Sequence, residues 1–167
     1  MTDTLENFEE KRPTYLKVLC ILTFVSTGLG VLGVFVQIIA GKFSQAEMEA
    51  YRVQTAEQIG LYKDNGWDFL VDFTMQSASM MEDIQANFLL VIVISALSAF
   101  LGLYSAIQMW KGRKIGFHLY IIYNLISVSS IYTYTSPANV PTLSLIFGLG
   151  ISGLFIFMYS RNLHWLK

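Results

Sequence analysis

Long apolar runs without charge alternate with short charged stretches along this chain. Val18–Gly41, Ile84–Trp110 and Ile115–Ser160 contain no Asp, Glu, Lys or Arg. Each exceeds the roughly 20 apolar residues that a helix needs to cross about 30 Å of hydrocarbon. The third run is long enough for two crossings. It is interrupted at Ser136-Pro137-Ala138-Asn139-Val140-Pro141, where the prolines stop a helix. The pattern therefore predicts four spans, at residues 17–42, 84–110, 115–135 and 142–160. A basic turn at 111–114 and an outer turn at 136–141 join them, and tails cover 1–16 and 161–167.

The one long polar stretch, residues 43–83, also has a helical pattern. Ser44 and Glu47 fit a capping box, in which each side chain serves the other residue's backbone N–H at a helix start. Met48, Tyr51, Thr55, Ile59 and Tyr62 follow at steps of three and four, which puts them on one stripe. Asp64-Asn65-Gly66 reads as a turn, with Gly66 free to adopt positive φ. A second helix follows, with Trp67, Leu70, Val71, Phe73, Thr74, Met81 and Ile84 as its apolar side, and it can run unbroken into the second span. The residues Met48, Tyr51, Ile59, Tyr62, Trp67, Leu70 and Phe73 have two readings: packing of the two helices on each other, or a docking face for a partner. The eight acids here lack the oxygen-rich loop spacing of a calcium site and read as a solvated helical face.

The predicted fold class is all-α: an integral membrane four-helix bundle with an extracytoplasmic helical hairpin between spans one and two. Short turns favour an up-down-up-down arrangement. Small and polar residues form candidate packing seams: Thr23, Ser26, Gly30, Gly33 and Gln37 in span one, Ser95, Ser98, Gly102 and Ser105 in span two, and Ser144, Gly148 and Ser152 in span four. Small residues let backbones approach closely where lipid supplies no hydrophobic drive. Gly28–Gly33 and Gly148–Gly153 both spell G-x-G-x-x-G. That fingerprint needs a strand before it, a helix after it and water for a dinucleotide. Both copies lie mid-span, so Gly30, Gly33, Gly148, Gly150 and Gly153 are read as helix-packing residues, with no cofactor.

Span three is the most polar. Tyr120, Asn124 and Ser127 share a face, with Tyr123 beside it, and this is the candidate ligand face. A polar side chain at membrane depth turns inward and marks either an interhelical hydrogen bond or a site. His118, one turn from Lys114, reads as an interfacial ring. No ionisable acid or base lies in any span core, which argues against ion-coupled transport. No nucleophile–base pair is evident, so no catalytic residue is assigned and the chain is read as non-enzymatic.

Composition and charge sharpen this picture. The chain is 54% hydrophobic and 14% charged, where a soluble domain carries about a quarter charged residues. A net charge of −1 gives no electrostatic basis for binding nucleic acid. Cys20 is the single cysteine and no Cys/His metal spacing exists, so no metal is assigned. Eight of the 11 basic residues lie in the two tails, at Lys17 where the first span begins, and in the 111–114 turn. The positive-inside rule then puts both termini in the cytoplasm. The first span is longer than a signal peptide's apolar core and is read as a retained anchor.

Three segments carry a resemblance: Arg12-Pro13-Thr14-Tyr15-Leu16-Lys17-Val18-Leu19, Trp110-Lys111-Gly112-Arg113-Lys114-Ile115-Gly116-Phe117 with Tyr120, and Tyr159-Ser160-Arg161-Asn162-Leu163. Together they resemble a family of small four-span bacterial inner-membrane proteins with no known activity. The likeness covers most of the membrane part. It implies a bacterial inner membrane and carries over no site residues. The expected partners are the lipid bilayer and another membrane protein or a second copy of the chain. The expected role is that of an accessory or assembly partner acting through the bundle face or hairpin. The alternative is a carrier, channel subunit or binder of a lipid-like or small amphipathic molecule. A solvent-connected cavity reaching Asn124 would favour the second role.

Overall fold

The computed structural model describes residues 14–166. The amino-terminal tail through Pro13, with Lys11 and Arg12, and the final Lys167 lie outside the described residues. The described chain is all-helical. Its α-helices are α1 (Thr14–Ala40), α2 (Gln45–Asp64), α3 (Asp68–Ala86), α4 (Phe88–Trp110), α5 (Lys114–Ser129) and α6 (Thr142–Ser160). Short 3-10 turns cover Ser130–Thr133, Pro137–Asn139 and Leu163–Trp165. Four helices are long and apolar enough to cross a membrane: α1, α4, α5 with its 3-10 extension, and α6. The expected α-helix over 115–135 thus ends early. Its last turn tightens into the 3-10 form before the Ser136–Pro141 segment.

The local chemistry explains where helices start and stop. Ser44 accepts from the Glu47 N–H at 3.3 Å, and the Ser44 N–H donates to Glu47 Oε2 at 2.8 Å. The Ser44 N–H, together with the Ser44 hydroxyl that donates to the same Oε2 at 2.7 Å, holds the Glu47 carboxyl below its ordinary range. At the end of α4, the Arg113 N–H reaches the Gln108 carbonyl at 3.0 Å and the Gly112 N–H reaches the Met109 carbonyl at 2.9 Å. This paired closure needs a left-handed residue, and Gly112 supplies it at φ +76. The same closure ends α2, with Gly66 at φ +70. The second helix of the 43–83 segment does not run on into α4. It breaks at Asn87, whose side-chain amide donates to the carbonyls of Asp83 and Tyr134.

The apolar helices converge at the end that carries Lys17, Lys111, Arg113, Lys114 and Arg161, here the basic end. Leu16, Leu19, Cys20, Met109, Phe117, Tyr120, Tyr159 and Leu166 form one buried cluster there. α4 packs along both α1 and α5, whereas α6 packs on α5 and touches α1 near Tyr159. The Tyr159 and Thr23 hydroxyls meet at 2.8 Å. Tyr159 is the one buried residue of α6.

At the opposite end α2 packs on α3. The residues of α2 that lose exposure are Met48, Tyr51, Thr55, Ile59 and Tyr62, the stripe predicted from spacing. Arg52 of α2 bonds Glu82 of α3 at 2.8 Å. α3 in turn is tied to the outer turn. Asn139 donates to Asp83 at 2.9 Å, and the Thr142 N–H donates to Gln76 Oε1 at 3.2 Å. The Phe43 N–H donates to Gln85 Oε1 at 2.9 Å. These bonds hold α3 across the ends of the apolar helices.

Candidate functional site

Convergence at one end leaves space at the other. Three voids lie between the apolar helices, two of them walled by α3 and the third reaching toward the basic end at Thr23 and Tyr120. One of about 400 Å³ sits between α3, α5 and α6, with Met80 and Met81 in its wall. A second, of about 320 Å³, lies between α1, α4 and α5 and is closed by the same Met80. A third, of about 190 Å³, lies between α1, α5 and α6 and reaches Asn124. Ser127 lines all three, so they meet along one side of α5. Ser127, Ser144 and Gly148 are exposed, which marks an opening between α5 and α6.

The walls are neutral. Hydroxyls from Thr27, Ser98, Ser127, Ser130 and Ser152 interrupt apolar surface from Ile94, Val128, Ile131 and Leu145. No Asp, Glu, Lys, Arg or His side chain lines any of the three voids. Two of these wall hydroxyls are already engaged. Thr27 donates to the Thr23 carbonyl at 2.8 Å and Ser130 to the Ser127 carbonyl at 3.1 Å. Ser98 differs: it is 8% exposed, and its Oγ has no hydrogen-bond partner.

The four residues of the candidate ligand face, Tyr120, Tyr123, Asn124 and Ser127, all line the third void. Asn124 does not bridge helices through its amide nitrogen, which donates to the Tyr120 carbonyl of its own helix at 2.8 Å. Tyr120 also borders the third void, but its ring belongs to the buried cluster, 5.5 Å from the Tyr159 ring. Tyr123 packs against α4, where Gly102 opposes it. His118 stays exposed, with Nδ1 3.0 Å from the Lys114 carbonyl.

The candidate packing residues also separate. On α4, Ser98, Gly102 and Ser105 are buried on one face. A Cβ at Gly102 would come within 2.9 Å of Tyr123 and 3.0 Å of Thr27. On α1 the buried polar residues are Thr23 and Thr27, while Ser26, Gly30 and Gly33 are exposed. Nothing lies within 4 Å of a Cβ at Gly30, Gly33, Gly148, Gly150 or Gly153. Within the chain, those glycines make no close helix contact; Gly148 and Ser152 border the first void instead. The other close approach falls at Gly116, whose added Cβ would press on the Met109 backbone nitrogen. Sequence spacing did not single out Gly116. Its signal was its place just after the α4–α5 turn, where two antiparallel helices are forced together.

Met48, Tyr51, Ile59 and Tyr62 are half-buried, as are Leu70 and Phe73 of α3, whereas Trp67 is half exposed with its ring 6.1 Å from that of Tyr62. The residues that the α2–α3 pair exposes are Val53, Leu61, Phe69 and Met75. Sequence reasoning missed the role of α3 as a wall, because Ser77, Met80 and Met81 meet α5 and α6 only through tertiary folding. No protein-family model matches this chain, and neither a curated protein nor a solved structure matches it.

Proposed function

We propose that this is an integral membrane protein, a four-helix bundle that holds a lipid-like or small amphipathic molecule non-covalently in its interhelical voids. The observation that carries the reading is the meeting of three neutral voids at Ser127, with one of them reaching Asn124. Ligand pockets combine apolar walls with a few placed polar groups, and they occur between the helices of bundles. The helices in question are the four apolar enough to cross a membrane, so the ligand would come from the bilayer rather than from water.

The test is native mass spectrometry of protein released from a mild detergent. The wild-type chain should carry an added mass, and Ser127→Phe or Ser152→Phe, which fill the voids, should lose it. A bare wild-type chain under conditions that preserve other lipid complexes would sink the reading.

The bilayer is the bacterial inner membrane in this reading. The basic end faces the cytoplasm, as the distribution of Lys and Arg requires, and α2–α3 form an extracytoplasmic hairpin. Cysteines placed one at a time in a Cys20→Ala chain report this directly. Glu57→Cys should react with an impermeant maleimide on intact cells. Asp3→Cys and Arg161→Cys should react only after permeabilisation, and the reverse pattern would overturn the topology.

A second reading, an accessory or assembly partner acting through the hairpin, is favoured by the exposed Val53, Leu61, Phe69 and Met75. It ranks below binding because the stripe, read from sequence either as packing or as a docking face, is largely spent on packing α2 against α3.

A further inference from the structure

The second void has a wall in common with the outer surface of the helices. Ile94 and Ser130, in its wall, also line an apolar groove of about 680 Å³ on the outer side of α4 and α5. Leu97, Phe100, Leu101 and Tyr104 continue that groove along α4, with Ile126 opposite on α5. Ile94 to Tyr104 spans about 15 Å at the rise of an α-helix. A neutral polar chamber thus shares its Ile94 and Ser130 wall with a single apolar track on the outer side of α4 and α5.

We propose that this pair of sites binds an uncharged, single-chain amphiphile. Its hydroxyl- or carbonyl-bearing head occupies the void beside Ser98, and its chain lies along the α4–α5 groove. The inference rests on the binding reading above and adds the chemical class and the pose. The absence of charged wall residues selects the head. A phosphate or carboxylate would lose its hydration and meet no cation, which is strongly unfavourable in an apolar setting. A neutral head needs only hydrogen bonds, and Ser98 has one to give. Its Oγ is buried without a partner, a state that folding tolerates poorly unless something else completes it. The neighbouring Thr27 and Ser130 hydroxyls already bond their own helices, and of the hydroxyls in this wall Ser98 is the one that is buried without a partner.

The probe is a monoacylglycerol with a diazirine in its chain, compared with the lysophosphatidic acid of the same chain, each applied to the purified full chain. The monoacylglycerol should label residues 97–104 and 126–133 saturably, and the charged probe at least tenfold less. Ser98→Ala should fold as stably as wild type, since it removes a buried unpaired hydroxyl. It should still bind the monoacylglycerol several-fold more weakly, a split that a purely structural role would not produce. Equal labelling by the charged probe would overturn the choice of head. Saturable labelling confined to α6 would overturn the pose while leaving the binding reading in place. No saturable labelling by either probe would overturn both. Ser98→Leu, which blocks the chamber, should abolish labelling of the groove, and persistence of that labelling would also overturn the pose.

Discussion

A Gly116→Ala chain should lose most of its folded population in detergent, while Gly150→Ala keeps it. In an ordinary helix interior, glycine-to-alanine substitution stabilises by roughly 0.5–1 kcal/mol. At Gly150 the added methyl meets nothing, so the change should be neutral or mildly favourable. At Gly116 it would press on the Met109 backbone, which cannot rotate away as a side chain can. Overpacking typically costs about 1–3 kcal/mol, and a rigid backbone obstacle puts this site at or above the upper end. Reversible unfolding in mixed micelles, followed by helical circular dichroism, measures both. Wild-type stability of Gly116→Ala would mean that α4 and α5 sit farther apart at the turn.

The second large effect concerns α3. Replacing residues 43–83 by a short flexible linker should leave the four apolar helices in the membrane fraction but remove the retained amphiphile, lowering occupancy by more than about tenfold. The exchange deletes Ser77, Met80 and Met81 from the void walls and removes the Asp83–Asn139 and Gln76–Thr142 bonds. Native mass spectrometry of the shortened chain reads the outcome. An unchanged bound mass would show that α3 is not a wall of the site.

Much of the helix pattern was legible because it rests on local rules. Uncharged length marked the apolar helices, Ser44 with Glu47 marked a start, and Asn65-Gly66 marked a stop. The stripe from Met48 to Tyr62 turned inward because charged and polar residues fill the other side of that helix, so polarity distinguishes its faces. In the apolar helices that contrast fails. Lipid and protein interior are equally apolar, and nothing in their composition separated Ser26-Gly30-Gly33 from the buried Thr23-Thr27 face. On α4 the small-residue seam coincided with the buried face because α4 has neighbours on two sides. The voids were only half legible. Asn124 and Ser127 stood out as polar groups at depth, but the walls from α3 and α6 join them across long stretches of sequence.

The bonds from α3 to Asn139 and Thr142 carry a consequence for how the chain is made. In synthesis from the amino terminus, α3 emerges well before its partners. Asp83 and Gln76 must wait, hydrated, until α5 has been threaded and the Ser136–Pro141 turn delivered. The first void is therefore closed only when the outer turn and α6 arrive, since Pro141, Ser144, Leu145 and Gly148 form its wall. Until then Met80 and Ser127 stand open, and in the proposed membrane setting lipid can fill the space before α6 docks.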